Sequence, residues 1–218
     1  HLNRYDILPM VAAPINNMGR YYFFHNDYTQ AMSHFQTALK INPNYPLTWM
    51  NIARTRIQMK DSEGAMETIH KALAKWPDNA QLHGLYCFIL LKQGMYGSAI
   101  REAWKTLILD SEITDVMRVL GEAYRRKGWH ERSVSCWESY AAHYRDDPEG
   151  HLALIELYSK IDQKEKLNRA IARVMLLKGS KSWKEMIDEY HSESASHAYV
   201  PDKSTLLSIV KKNLTKDF

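Results

Sequence analysis

Small and apolar residues recur along the chain with a period of 34, and this periodicity dominates its hydrophobic pattern. Four residues of the first copy have counterparts 34 positions later, and the two sets are Ala31, Phe35, Ala38 and Pro43, followed by Ala65, Ile69, Ala72 and Pro77. A period of this length is typical of stacked supersecondary units that share one continuous core. The register predicts five repeats without insertions, at 12–45, 46–79, 80–113, 114–147 and 148–181.

Fixed positions within these blocks resemble the tetratricopeptide repeat, whose signature has Trp, Leu, a small residue and Tyr in its first half and Ala, an aromatic residue, Ala and Pro in its second half. The first copy matches with Gly19, Tyr22, Ala31, Phe35, Ala38 and Pro43. The second adds Trp49, Ala53, Ala65, Ala72 and Pro77, and the fourth adds Leu120, Gly121 and Tyr124. The third and fifth copies depart from the signature, because Cys87 and Leu167 replace small residues.

This resemblance implies an all-α fold, a right-handed α-α superhelix (solenoid) of about five helix-turn-helix repeats with C-terminal capping helices. The two helices of a repeat cross so closely that small side chains are needed where their axes meet. We expect Gly19, Ala53 and Gly121 at these crossings. The proline near the end of a repeat ends the second helix, because it lacks an amide hydrogen and disfavours helical backbone in the residue before it.

The residues that flank the repeats give two further expectations. Pro9 falls at the proline position of an upstream copy, so we expect 1–11 to be the remnant of such a repeat and the chain to be part of a longer protein. Residues 182–218 are predicted to form a helical cap. Two apolar stripes with helical spacing support the cap: Trp183, Met186, Ile187 and Tyr190, then Leu206, Leu207, Ile209, Val210 and Leu214. Polar residues over 192–203 predict a loop between them.

Composition restricts the class of protein without naming a partner. The chain has 218 residues, 45% hydrophobic and 25% charged, which favours a globular fold. Its net charge of +4 is far from that of a dedicated nucleic-acid binder, so we expect no DNA partner. The longest apolar run, 85–91, is shorter than the roughly 20 residues that span a membrane, so membrane contact would need an upstream region. Cys87 and Cys136 have apolar neighbours and indicate reduced, buried thiols.

Motifs for catalysis, nucleotide binding and metal binding are missing from the sequence. His191 and His197 lie near each other with Glu193 between them, but a metal site needs three or four converging ligands. We therefore expect a protein that is not an enzyme and holds neither a cofactor nor a metal.

Candidate binding residues follow from the resemblance, because the family lines a concave groove with positions 2, 5, 9, 12 and 13 of the first helix. The candidate peptide-binding residues are Asn16, Arg20, Phe23, Phe24, Met50, Asn51, Arg54 and Phe88. Arg20 and Arg54 both occupy position 9, where their planar guanidinium groups could hold a carboxylate. Phe23, Phe24 and Phe88 would supply exposed aromatic anchors beside them.

The corresponding groove positions of the last two repeats are charged and of mixed sign. Arg118, Glu122 and Arg125 follow the spacing of an ion pair within one helix. The two-carboxylate clamp of the chaperone-binding members is a different arrangement, and only Asn51 matches it here. The other clamp positions are occupied by Asn16, Arg20, Gln81 and Leu85.

The sequence thus predicts a non-catalytic scaffold that binds a protein or peptide segment with acidic and large apolar groups. Two alternatives remain open. One is the soluble tail of a polytopic membrane glycosyltransferase-like or polysaccharide-assembly protein. The other is an RNA-associated repeat that uses Lys160–Lys184, which carries eight basic and two acidic residues. We expect a cytoplasmic location, with a periplasmic or membrane-tethered domain as the alternative, and the sequence leaves the oligomeric state open.

Overall fold

A computed structural model describes residues 4–179, 181–192 and 197–214, and these residues form helices and connecting turns without a strand. The helices are α1 (Arg4–Phe24), α2 (Tyr28–Ile41), α3 (Pro46–Gln58), α4 (Ser62–Lys75), α5 (Ala80–Lys92), α6 (Tyr96–Leu109), α7 (Val116–Arg126), α8 (His130–His143), α9 (Pro148–Lys160), α10 (Lys164–Lys178), α11 (Trp183–Ser192) and α12 (Lys203–Leu214). The predicted all-α class is therefore confirmed.

The chain divides into two compact units, and the boundary falls inside α5. The first unit ends at Ile89 and the second begins at Leu90. In the first unit α1 packs on α2, α2 on α3 and α3 on α4. In the second unit each helix from α6 to α10 packs on the next, so neighbouring helices in the chain are neighbours in space.

The turn within each helix pair repeats as regularly as the helices. A residue with left-handed backbone occurs at every thirty-fourth position, with φ of 60° at Asn26, 62° at Lys60, 74° at Gly94, 76° at Gly128 and 53° at Asp162. Glycine, asparagine and aspartate tolerate this conformation, whereas a lysine adopts it at a cost. One predicted block of 34 residues thus contains two helices joined by a turn of fixed geometry.

Small residues lie where the helices cross, as predicted. A Cβ atom added to Gly19 would lie 2.6 Å from Cε1 of Phe35, and one added to Gly121 would lie 2.6 Å from Nε1 of Trp137. Both distances are well inside van der Waals contact, so each glycine is required by the close approach of the paired helix. Ala53 is fully buried in the core of the first unit.

Two apolar clusters form the core of the first unit. One joins α1, α2 and α3 around Phe35 and Ile52. The other joins α3, α4 and the part of α5 that precedes the unit boundary, around Ile69, Leu82 and Ile89. Each helix therefore contributes apolar side chains to the contact with the next one, which is the packing that stacked repeats require.

Helix α1 differs from the expectation that Pro9 marks the end of an upstream repeat. Residues 4–11 continue the same helix that carries Gly19, so the described part of 1–11 is not a separate element. A proline removes one backbone hydrogen bond from a helix but does not by itself end it. Ala12, Asn16 and Gly19 form a buried stripe on α1, and this stripe packs along α2 and α3. Residues 1–3 lie outside the described part of the chain.

The C-terminal cap consists of α11 and α12, as predicted. Helix α12 packs against α9 and α11. The described residues of the predicted loop, 197–202, contain no helix, and 193–196 lie outside the described ranges, as do 215–218. Among the described helices, none combines the length and the apolar character needed to cross a bilayer.

Candidate functional site

A cavity of about 250 Å³ opens in the first unit, where three helices meet. Its lining residues come from the end of α1, from α2 and from α3, and they are Arg20, Phe23, Phe24, Phe35, Leu47, Asn51 and Arg54. We call this space the first-unit cavity. Two arginines, three phenylalanines and a leucine therefore face one space.

Buried amides and a hydroxyl fix the position of α1 on α3 beside this cavity. Oδ1 of Asn16 accepts hydrogen bonds from Oγ1 of Thr48 at 3.2 Å and from Nδ2 of Asn51 at 3.1 Å. Asn16 is only 1% exposed, so these bonds also satisfy a polar group that would be costly to bury alone. Asn16 therefore acts as a positioning residue.

The chemistry of the first-unit cavity is cationic and aromatic. Arg20 and Arg54 are exposed, and 71% of the surface of Phe24 is accessible. No acidic side chain is among its described lining residues. Guanidinium groups prefer carboxylate ligands, which they hold with paired N–H bonds, and an exposed aromatic ring favours an apolar side chain. The cavity is thus suited to a group that combines negative charge with apolar surface.

The sequence predicted most of this lining but not all of it. Five of the eight candidates line the cavity: Arg20, Phe23, Phe24, Asn51 and Arg54. The structure buries the other three, Asn16, Met50 and Phe88. Phe88 is 8% exposed, so the expectation that it presents an open ring is wrong.

Two lining residues were absent from the candidate set. Leu47 occupies groove position 2 of the second repeat, so the same pattern could have selected it. Phe35 was selected only as part of the repeat signature, and the structure shows that its ring both packs against Gly19 and lines the cavity.

The second unit arranges its groove positions differently, around carboxylates of α9. Oε2 of Glu149 accepts a hydrogen bond from Nη1 of Arg118 at 3.2 Å. Oε1 of Glu156, two turns further along α9, accepts bonds from Nη1 of Arg125 at 3.2 Å and from Nζ of Lys160 at 2.6 Å. We call Arg118 and Arg125 on α7, with Glu149 and Glu156 on α9, the α7/α9 face.

The ion pair predicted within α7 forms, and the structure adds bonds to α9. Glu122 does bind Arg125 within the helix, with Oε2 and Nε 2.6 Å apart, and it also binds Arg126. The bonds of Arg118 and Arg125 to α9, however, connect two helices of successive repeats.

A segment of the same chain without helix or strand structure, residues 197–201, covers the α7/α9 face. The backbone N–H of Tyr199 donates to Oε1 of Glu149 at 2.8 Å, and the Tyr199 hydroxyl donates to Oε2 of Glu156 at 2.7 Å. Nδ1 of His197 lies 3.3 Å from Oε2 of Glu149. The guanidinium carbon of Arg125 lies 5.2 Å from the centre of the Tyr199 ring. Both ends of Tyr199 are therefore bound by carboxylates of one helix.

Ionisation of these carboxylates is favoured by their partners. Burial by itself raises the pKa of Glu149, but the hydrogen bond with His197 and the charge of Arg118 outweigh it and leave the pKa below its usual value. Burial likewise raises the pKa of Glu156, and its bonds to Lys160 and Tyr199 lower it below the usual value. The ionised carboxylates of Glu149 and Glu156 thus accept hydrogen bonds from the neutral N–H and hydroxyl of Tyr199.

The contacts of Tyr199 with α9 could not be predicted from the sequence, because Tyr199 lies in a predicted loop. The one local signal is the apolar run 198–201 inside an otherwise polar stretch. Two side chains of α11 hold this run in place. The Tyr190 hydroxyl donates to the Tyr199 carbonyl at 2.9 Å, and Nε2 of His191 lies 2.8 Å from the Pro201 carbonyl oxygen.

The remaining candidates from the sequence are the two cysteines and the two histidines near the C-terminus. Neither Cys87 nor Cys136 is in a disulfide; Cys87 is buried, whereas Cys136 is half-buried, and burial raises the pKa of Cys136 to about 11. His191 and His197 have the partners described above, and Glu193 lies outside the described residues. Within those residues no cluster of three or more His, Cys, Asp or Glu side chains could hold a metal ion.

The basic stretch Lys160–Lys184 is largely neutralised by acidic neighbours. Five of its eight basic side chains form ion pairs, which are Lys160 with Glu156, Lys164 with Asp162, Lys166 with Glu138, Arg173 with Asp146 and Lys181 with Glu189. Paired cations present a weaker field to a phosphate backbone than free ones. Ser180, within this stretch, lies outside the described residues.

Paired helices, a turn of fixed geometry every 34 residues and small residues at the crossings make the chain a helical-repeat protein. The family model of the tetratricopeptide repeat matches residues 25–71. Residues 25–71 are thus similar to the tetratricopeptide repeat, and the same helix-pair fold extends over the rest of the described chain. A search of curated protein sequences returned no match.

Solved structures share this fold at low sequence identity. PilF of Pseudomonas aeruginosa is 18% identical, with a TM-score of 0.73 over 97% of this chain and 93% of that chain. PilW, described as a type IV pilus biogenesis factor, is 16% identical, with a TM-score of 0.74 over 94% of this chain and 91% of that chain. A thermophilic tetratricopeptide-repeat protein of Thermus thermophilus is 19% identical, with a TM-score of 0.67 over 83% and 97% of the two chains. At these identities the similarity concerns the fold alone.

Proposed function

We propose that the chain is a non-catalytic scaffold that binds a peptide segment of a partner protein in the first-unit cavity. The ligand carries a carboxylate next to a large apolar side chain. The observation that supports this function is the convergence of Arg20 and Arg54 with Phe23, Phe24 and Leu47 on one open space. Helical repeats of this family serve as protein-interaction scaffolds, and the cavity gives that general role a particular ligand.

The size of the cavity fits a short motif. A volume of about 250 Å³ is small beside a folded domain. That space accommodates one large apolar side chain and a neighbouring carboxylate, whereas a folded domain would contact only the rim. The two guanidinium groups orient the carboxylate, and the phenylalanine rings bury the apolar side chain.

A peptide-display selection followed by titration tests this function. Random peptides are selected on the full chain, and the enriched sequences are expected to combine Asp, Glu or a free C-terminus with Leu, Phe or Trp. One selected peptide is then synthesised with its carboxylate and with the corresponding amide. Isothermal titration is expected to show that the amide, and the Arg20→Glu and Arg54→Glu variants with the original peptide, each weaken binding by about 30-fold.

A charge reversal outside the cavity is the matched control. Lys71 is exposed on α4 and does not line the cavity, so Lys71→Glu is expected to bind the peptide as the unaltered chain does. The proposal is wrong if folded Arg20→Glu and Arg54→Glu variants bind the selected peptides normally, or if the selection shows no preference for carboxylates.

The neutralised stretch Lys160–Lys184 supports this ligand class over RNA. With five of its eight cations paired, the stretch has few charges left for a phosphate backbone. Titration of a single-stranded RNA oligonucleotide at two salt concentrations tests the alternative directly, since strong, salt-dependent binding would favour RNA.

A further inference from the structure

The second unit contains a complete peptide complex within one chain. Residues 197–201 have no helical or strand structure, yet Tyr199 is only 1% exposed. The α7/α9 face holds its backbone N–H through Glu149 and its hydroxyl through Glu156. The edge of the Trp137 ring packs near the Tyr199 ring, with centroids 6.1 Å apart. One residue of the segment is thus recognised at its main chain, its ring and its hydroxyl.

The region around the face shares a repeat position with the first-unit cavity. Glu122 and Glu156 lie at position 9 of the fourth and fifth repeats, which is the position of Arg20 and Arg54 in the first two. The segment therefore lies where the repeat presents ligand-binding side chains, and not at the exposed end of the last repeat. It has the place of a ligand.

The chemistry of the face also differs from that of a purely structural cap. A cap that only covers a core is most stable when both surfaces are apolar, because burying ionised groups carries a desolvation cost. Here Glu149 and Glu156 are buried with Arg118 and Arg125 close by. When the segment leaves, water can solvate these groups again, which offsets part of the lost contacts. The closed arrangement is therefore built to exchange.

We propose that the α7/α9 face is a second peptide-binding surface, distinct from the first-unit cavity, and that residues 197–201 occupy it as an intramolecular ligand. The partner that replaces them presents an extended segment with a tyrosine in the place of Tyr199. Its backbone N–H and phenol hydroxyl are the donors that Glu149 and Glu156 accept. The first-unit cavity selects negative charge, whereas this face selects neutral hydrogen-bond donors.

A peptide supplied in trans tests the proposal. The probe is a fluorescein-labelled, N-acetylated peptide with the sequence of residues 197–203, HAYVPDK. Fluorescence anisotropy with the full-length Tyr199→Ala chain is expected to show binding about tenfold tighter or more than with the unaltered chain, because the resident segment no longer competes. The same peptide with Phe in place of Tyr is expected to bind the variant about tenfold more weakly or worse, because a hydrogen bond to a charged carboxylate is lost.

Matched variants separate recognition from a general loss of structure. Tyr21 is an exposed tyrosine of the first unit, so Tyr21→Ala is expected to bind the probe no better than the unaltered chain. Tyr199→Phe keeps the ring and removes only the hydroxyl, and it serves as the second host if Tyr199→Ala does not fold. It is expected to bind the tyrosine peptide more tightly than the unaltered chain does.

Three outcomes would overturn the proposal. The first is that folded Tyr199→Ala and Tyr199→Phe chains bind the probe no more tightly than the unaltered chain. The second is hydrogen exchange of the Tyr199 amide only at the rate of global unfolding, since the segment would then never leave the face. The third is a concentration-dependent dimer in sedimentation that depends on Tyr199, which would identify the occupant as a second copy of this chain. None of these outcomes affects the proposal for the first-unit cavity.

Discussion

The two units use the same repeat position with opposite charge. Position 9 of the first helix is Arg20 and Arg54 in the first unit, and it is Glu122 and Glu156 in the second. The arginines line an open cavity, whereas the glutamates lie within a network of buried charges that a segment of the chain covers. The comparison teaches that the fold sets which positions face the space between successive repeats, while the residues there decide its charge and whether it is open or covered.

The difference also changes what the polar residues do for stability. In the first unit the charged groups of the cavity are exposed, so they are expected to contribute little to the free energy of unfolding. In the second unit the carboxylates are buried with their partners, so removing one group leaves a buried charge without its partner. Four measurements can sharpen this contrast or disprove it.

The largest expected effect is the loss of Glu149. Glu149→Ala leaves Arg118 in a buried site without its partner on α9, and we expect it to lower the free energy of unfolding by about 3–5 kcal/mol. Urea unfolding followed by circular dichroism measures the change. Glu67→Ala, which removes an exposed pair with Lys71 on α4, is the control and is expected to leave stability almost unchanged. A loss below about 1 kcal/mol for Glu149→Ala would contradict the role of the buried network.

The helix crossings are expected to be equally sensitive in both units. A Cβ atom at Gly19 or Gly121 would lie 2.6 Å from the facing aromatic ring, so each substitution by alanine should cost about 1–3 kcal/mol through overpacking. Gly97 lies on α6, where the nearest atom to an added Cβ is 4.0 Å away. Gly97→Ala is therefore the control and should stabilise the helix by about 0.5–1 kcal/mol. Equal stability of the three variants would argue against the assigned crossings.

Acid should weaken the second unit through Glu149 and Glu156. The pKa of each is lower in the folded chain than its usual value of 4.5, so their contribution to stability is present above pH 4.5 and is lost as the pH falls through the folded values. The melting temperatures of the unaltered chain and of a Glu149→Gln, Glu156→Gln double variant should therefore converge as the pH is lowered below 4.5. A difference in melting temperature between the two chains that stays constant from pH 7 to pH 3 would show that the charges of these two groups do not contribute to stability.

The smallest expected effect concerns the turns within the helix pairs. Lys60 has φ of 62°, so Lys60→Gly should stabilise the chain by about 1 kcal/mol because glycine adopts this backbone without strain. Gly128 occupies the same place in the second unit with φ of 76°, and Gly128→Ala should destabilise by about the same amount. Changes of the same sign in both variants would disagree with a shared turn.

Much of the fold could be predicted because its signals are local. The period of 34, the small residues at the crossings and the apolar stripes of the cap all act through contacts between elements that follow one another in the chain. Five of the eight candidate binding residues line the first-unit cavity for the same reason, since their direction depends on the helix that carries them. The burial of Phe88 and the start of α1 could not be derived this way, because each depends on what packs alongside.

The sequence by itself therefore determined the repeat, its helix pairs and the positions from which binding side chains project. Only the tertiary structure decided which of these positions remain open. Tyr199 reaches Glu149 and Glu156 across 50 and 43 residues of chain, and no local pattern encodes a contact at that separation. The physical reason is that helical spacing fixes the direction of a side chain, whereas the partner of a buried charge is fixed by every group that competes for it once the chain has folded.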